Sequence, residues 1–244
     1  VAIKNYPILL LTVLISSVSL AFINYIQGYQ HIMIYMSDYN ESLQAEAILD
    51  RIYVNKDFNQ IEHMEGNSVL HFISPYTFFL ASIFWGSISF LMVKKTYHPF
   101  VFSRVKLQRE ALRIIRGPYI LHVTLFVFIY VASIITFVFV NGELEFDDPG
   151  SIIKQFLFFI FASTLISLGL SSIMFYLYLK FQETIALLIV FILISVLFIM
   201  DLQLKKISVV FISGDAYFVG GMIVGICLMI LSHLLLRNLK YKIA

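Results

Sequence analysis

Few residues in this 244-residue chain are equipped for bond-making chemistry. Glu62, His63 and Glu65, with His71 further on, offer the imidazole and carboxylate groups that hold divalent metals. Their spacing matches no established ligand pattern, and a solvated acidic loop accounts for them. There is no His-Glu-x-x-His on a helix and no Gly-x-Ser-x-Gly, the spacings that build a zinc protease or a serine nucleophile. The single cysteine, Cys227, lies in an apolar run, which excludes an internal disulfide framework and a multi-cysteine metal site. No Gly-x4-Gly-Lys-Ser/Thr loop occurs, so this chain cannot hydrolyse nucleotide through a P-loop. ATP-driven work here needs a second chain.

What the sequence does concentrate is positive charge. Residues 94–117 hold Lys94, Lys95, Arg104, Lys106, Arg109, Arg113 and Arg116 against a single acid, Glu110. Pro99 and the pair Gly117-Pro118 punctuate the segment. Wound as a helix, Val101, Val105, Leu112 and Ile115 form an apolar stripe beside a cationic one of Lys106, Arg109, Arg113 and Arg116. Such a helix lies on a membrane surface or docks on a partner there.

The elements that position this segment are apolar. The chain is 60% hydrophobic and 13% charged, against about 25% charged residues in a soluble domain. Six apolar runs stand at 7–26, 75–93, 118–140, 152–178, 184–200 and 216–236, each near the ~20 residues that cross a bilayer as helix. The first is expected to be a retained span, since no small-x-small cleavage site follows it. The Lys/Arg bias sets orientation. With the N-terminus inside, the cytoplasmic side collects 12 basic and 2 acidic residues and the outside 5 and 13. The expected fold is therefore an all-α polytopic membrane protein. It has six transmembrane helices, both termini cytoplasmic, and an amphipathic helix between spans two and three. Residues 1–244 read as one transmembrane domain.

The outer loop 27–74 carries seven acids and two bases. Ser42 could cap a helix over 43–54 with Leu43, Ile48, Ile52 and Tyr53 as its apolar positions. Asn40-Glu-Ser42 also matches a glycosylation acceptor, a triplet common by chance. Asp147 and Asp148 precede the fourth span, where acids favour a helix N-terminus. Residues 201–215 mix apolar and charged side chains, as a short interfacial or re-entrant piece would. Within the spans, small residues recur four apart: Ser82 and Gly86, then Ser163, Ser167 and Ser171, then Gly221 and Gly225. Such ridges let helices approach closely in lipid, either within the subunit or along a dimer seam. Trp85 sits mid-span, against packed neighbours or a cavity wall. No Asp, Glu, Lys or Arg lies near the middle of any run, which counts against a proton-coupled transporter or a channel with a charged filter.

This layout resembles the ABC-2 type permeases, the membrane subunits of ATP-binding-cassette exporters. It is most similar to small Gram-positive members that handle bacteriocins and other amphipathic peptides. The resemblance covers the whole chain and rests on topology and charge layout. It implies that Phe102–Arg113 is the coupling helix, with Arg104, Val105, Lys106, Arg109, Leu112 and Arg113 meeting a cytoplasmic ATPase. It also implies a second permease copy or paralogue as partner, beside membrane lipid and with no nucleic acid. ATP and Mg would be held by the partner ATPase, with no cofactor in this chain, and the location would be a bacterial plasma membrane. The competing reading is a non-transporting scaffold or toxin-immunity protein that binds a partner through the outer loop. A membrane enzyme is a third class, disfavoured by the missing catalytic constellations.

Overall fold

The structure is a computed structural model that describes residues 6–39, 43–53, 73–91, 108–146, 148–181, 183–203 and 215–237. Among these residues the fold is all helical: α1 (Tyr6–Tyr39), α2 (Ala45–Tyr53), α3 (Ile73–Leu91), α4 (Gln108–Val140), α5 (Pro149–Lys180), α6 (Glu183–Gln203) and α7 (Asp215–Arg237). Five of them, α1 and α4 to α7, are long and apolar enough to cross a membrane. The apolar part of α3, Ile73–Ile88, is shorter.

The distribution of side chains is that of a bundle in lipid. Leu11, Ile15, Phe22, Phe128, Phe161, Phe191, Ile223 and Ile230 are among many large apolar residues on the outer surface. Ser17, Asn24, Ser82, Ser87, Ser163, Ser167 and Ser171 are buried instead. A water-soluble bundle places these groups the other way round. The chain is a multi-pass helical membrane protein.

The packing runs α1–α4–α5–α7, with α3 lying over α4 and α5 and α6 resting on α5 and α3. Without a hydrophobic force between helices in lipid, close approach must supply the attraction. The α5–α7 pair shows how. A Cβ on Gly225 would lie 2.7 Å from the Leu165 carbonyl carbon and 2.8 Å from the Ile166 nitrogen. One on Gly169 would lie 2.7 Å from Leu228 Cβ. The two backbones touch where each helix lacks a side chain. At the centre of the bundle, Phe78 of α3 packs on Tyr130 of α4 with ring centroids 4.6 Å apart, and on Phe159 of α5 at 5.7 Å.

Two helices outrun the spans that the sequence marks. The first apolar run ends near 26, yet α1 continues to Tyr39, about 51 Å in all. Helix α2 provides the reason. Ala45, Ile48, Leu49 and Ile52 are buried on one of its faces, and Ile52 closes on Gly28, where an added Cβ would meet it at 2.8 Å. The part of α1 just past the apolar run, at Gly28, thus has a packing partner. The expected helix over 43–54 is present as Ala45–Tyr53, while Ser42 lies outside the described residues. The second extension is α4, which passes through Gly117-Pro118 without a break. The helix boundary expected there, between the amphipathic segment and the third span, does not occur. Proline removes one hydrogen bond, to the carbonyl four residues back, and Gly117 has open space around it. The turns on either side keep their bonds.

At the start of α5, Asp148 is the N-cap. Its carboxylate accepts from the Gly150 N–H at 2.9 Å, and Pro149 follows in the first turn. Phe181 and Gln182 alone separate α5 from α6, and the Phe181 N–H donates to the Leu177 carbonyl at 2.7 Å.

Candidate functional site

Two features could carry function: the basic N-terminal part of α4 and the polar residues buried between helices. Of the basic set, Arg104, Val105 and Lys106 lie outside the described residues, whereas Arg109, Leu112 and Arg113 belong to the first turns of α4. Because α4 is continuous, these turns stand on the end of a span. Arg116, one turn further on, is half-buried. Its Nε is closed off from solvent with no hydrogen-bond partner among the described residues. Lys180, at the neighbouring end of α5, lies over the rings of Tyr176 and Phe181 at 5.9 and 5.4 Å.

The small-residue positions meet one another inside the bundle. Ser82 of α3 donates its hydroxyl hydrogen to the Phe79 carbonyl at 2.9 Å and meets Ser167 Oγ of α5 at 3.0 Å. Ser163 donates to the Phe159 carbonyl at 2.5 Å. Gly86 marks where α3, α4 and α5 converge: a Cβ there would lie 2.4 Å from Val123 Cγ2 and 3.0 Å from Ser171 Oγ. Ser171 is fully buried, with no hydrogen-bond partner for its hydroxyl among the described residues. Gly221 is buried on α7, one turn before Gly225. Trp85 packs against the core and stands edge-on to Phe84, with centroids 5.7 Å apart.

A second set of polar contacts had only a faint signal in the sequence. Asn24 of α1 donates to Tyr130 Oη of α4 at 2.7 Å and to the Ser74 carbonyl of α3 at 3.3 Å, tying three helices at one point. Asn141 donates to Tyr25 Oη at 2.8 Å, and Tyr29 donates to the Glu143 carboxylate. The segment after α4 also pairs with the chain before α2. The Ala45 N–H donates to the Glu145 carbonyl at 3.0 Å and the Glu145 N–H to the Leu43 carbonyl at 2.9 Å. The Asp148 N–H reaches Glu46 Oε1 at 3.4 Å. Amide and phenol groups inside apolar runs were the available clue. Their partners lie 50 to 116 residues away, which spacing alone cannot reveal.

Chemically, the interior offers mainly hydroxyl and amide groups, with one imidazole, that of His122, buried on α4. The hydroxyl and amide groups bond helices to one another and can solvate a polar group. Among the described residues no three His, Cys, Asp or Glu side chains converge as a metal site would need. The Glu62, His63, Glu65 and His71 set lies outside the described residues. Comparison with family models, with curated proteins and with solved structures returned no match.

Proposed function

We propose that this chain is the membrane-spanning permease subunit of an ABC exporter. It would move an amphipathic peptide or other lipophilic substrate out of a bacterial cell, driven by a separate ATPase that holds ATP and Mg. The observation that carries the reading is the unbroken course of α4. Its first nine residues hold Arg109, Arg113 and Arg116, and the same helix runs on as a span packed against α1, α3 and α5. A partner that grips the basic turns therefore grips a lever about 50 Å long whose far part lies in the middle of the bundle. Nucleotide-driven movement of the partner would reach the bundle through one rigid element.

In this reading α3 is the sixth span. Its 19 residues rise about 28 Å, close to the ~30 Å hydrocarbon core. The Lys/Arg bias places both termini and the basic segment in the cytoplasm, which puts α2 and residues 141–146 outside. A charge-poor interior suits a greasy cargo. The test is replacement of Arg104, Arg109 and Arg113 by Glu in the assembled complex. The reading expects normal insertion and loss of cargo-stimulated ATP hydrolysis. Unaltered transport would refute the assignment of the coupling segment.

One observation favours the alternative, a toxin-immunity or scaffold protein. Helix α2 and residues 141–146 form an ordered platform at the end of α1, held by backbone pairing and by buried Ile48, Leu49 and Ile52. Binding of a partner to this platform, with no associated ATPase, is the outcome that would favour it.

A further inference from the structure

The helices of this bundle are held with very unequal strength, and of the two joins that α6 makes, the one to α3 is thinner than the one to α5. Elsewhere the bundle is stitched shut, and Asn24 ties the Ser74 end of α3 to that body. The end of α1, helix α2 and the segment between α4 and α5 share the Ala45–Glu145–Leu43 backbone pairing, the Asn141–Tyr25 and Tyr29–Glu143 bonds, and the Asn24–Tyr130 bond. These elements must move as one body.

Helix α6 is different. Only 22% of its span is buried, against 50% for α5. Its buried residues form one narrow stripe, Ala186, Val190, Ile194 and Phe198, each four residues from the next. Helix α7 has an equally exposed span, but glycine brings its backbone onto α5. Helix α6 contains no glycine, so its contacts with the bundle run through side chains, Val190, Ile194 and Phe198 among them. In lipid, where apolar side chains gain nothing by leaving the solvent, a join of this kind rests on side-chain packing and interhelical hydrogen bonds. Toward α3, those contacts centre on Tyr76. Its hydroxyl lies 3.1 Å from Ser195 Oγ, and its ring stands edge-on to Phe198 at 4.9 Å and to Phe191 at 6.3 Å.

We propose that α6 is a movable flap. It stays on α5, held at the short link that follows Lys180, and swings away from α3 when Tyr76 releases Ser195 and Phe198. Since α3 and α6 both rest on α5, their separation uncovers the α5 surface between them and opens the bundle sideways to the bilayer. A molecule dissolved in the lipid, apolar or amphipathic, could then reach the interior. The flap concerns only the helices of this chain and does not depend on the permease reading.

The test is pulsed electron-electron resonance distance measurement on the full chain in lipid nanodiscs. Spin labels go on Ile73→Cys and Met200→Cys, exposed positions near the ends of α3 and α6 that face the same side of the membrane, in a Cys227→Ala background. A control pair, Met33→Cys and Val140→Cys, reports the stitched side at exposed positions of α1 and α4. The α3–α6 pair is expected to show a main distance and a minor, longer one. Tyr76→Phe, which keeps the ring and removes the hydroxyl, should raise the longer population about three- to tenfold. The control pair should keep a single distance in both proteins. A single α3–α6 distance that Tyr76→Phe leaves unchanged would overturn the flap. So would equal broadening of both pairs, which would mean general loosening of the bundle.

Discussion

Replacing Gly225 by Val should separate α7 from α5 and destabilise the bundle, because nothing at that point can yield cheaply. The first added carbon would sit 2.7 Å from the Leu165 carbonyl carbon and 2.8 Å from the Ile166 nitrogen, both backbone atoms of a helix. Ordinary van der Waals contact begins at 3.4 Å, so the axes must part by at least about 0.7 Å, and further for the two γ-methyl groups. A gap of 0.5–1 Å forfeits roughly a quarter to a half of each contact's attraction. A crossing of a few tens of atom pairs at ~0.1–0.2 kcal/mol each then loses on the order of 1–2 kcal/mol. Strain from overpacking adds ~1–3 kcal/mol. Helix propensity returns less than ~1 kcal/mol. The net cost should be about 2–4 kcal/mol, read as an earlier transition when detergent-purified protein is titrated with sodium dodecyl sulfate and followed by circular dichroism. Gly117→Ala is the matched control. Gly117 lies inside α4, and beyond its own helix turn no atom of the described residues lies within 4 Å of an added Cβ, so that change should stabilise by about 0.5–1 kcal/mol. Light scattering on the same samples should show one oligomeric state for all three proteins. Unfolding of Gly225→Val together with the native protein would refute this role for Gly225, as would a change in the oligomeric state alone. The second result would place Gly225 on a dimer seam.

Other consequences are as direct. Tyr130→Phe removes the hydroxyl that accepts from Asn24 and should cost about 0.6–1.7 kcal/mol in the same titration, the range found for interhelical hydrogen bonds in lipid. Ile52→Ala should free α2 from α1 at a cost of about 2–4 kcal/mol, since Ile52 is fully buried against Gly28. Hydrogen exchange should then rise across Ala45–Tyr53 while α4 and α5 keep their protection. Asp148→Ala removes the cap on α5 and should cost about 1 kcal/mol, with faster exchange of the Gly150 amide.

The parts of this fold that the sequence displays are those fixed locally. The apolar runs mark α1 and α3 to α7, and the spacing of Ile48 and Ile52 marks α2. Asp148 followed by Pro149 announces the start of α5. Helix ends that depend on a distant partner stay hidden. Helix α1 runs on past residue 26, where Ile52 of α2 folds back onto Gly28, a contact 24 residues apart in the chain. The same holds for the site. Ser82, Gly86, Ser163, Ser167 and Gly225 stand out by their spacing. Which of them meet is decided by how each helix is rotated about its axis, and that follows from the whole packing arrangement. Gly169, which completes the α5–α7 crossing, has no partner at four-residue spacing to draw attention to it. Tyr76 reads as one aromatic among many until Ser195 and Phe198 are placed beside it.

The permease function proposed for this chain requires a cytoplasmic ATPase that grips the basic turns of α4. The most direct measurement is affinity purification of this chain in mild detergent, with mass spectrometry of the proteins retained, beside a parallel purification of a variant with Arg104, Arg109 and Arg113 changed to Glu. The account predicts a P-loop ATPase at about one per permease with the native chain, and its loss with the charge-reversed chain. Recovery of the native chain without an ATPase across several detergents would contradict it, as would equal recovery of the ATPase with both chains.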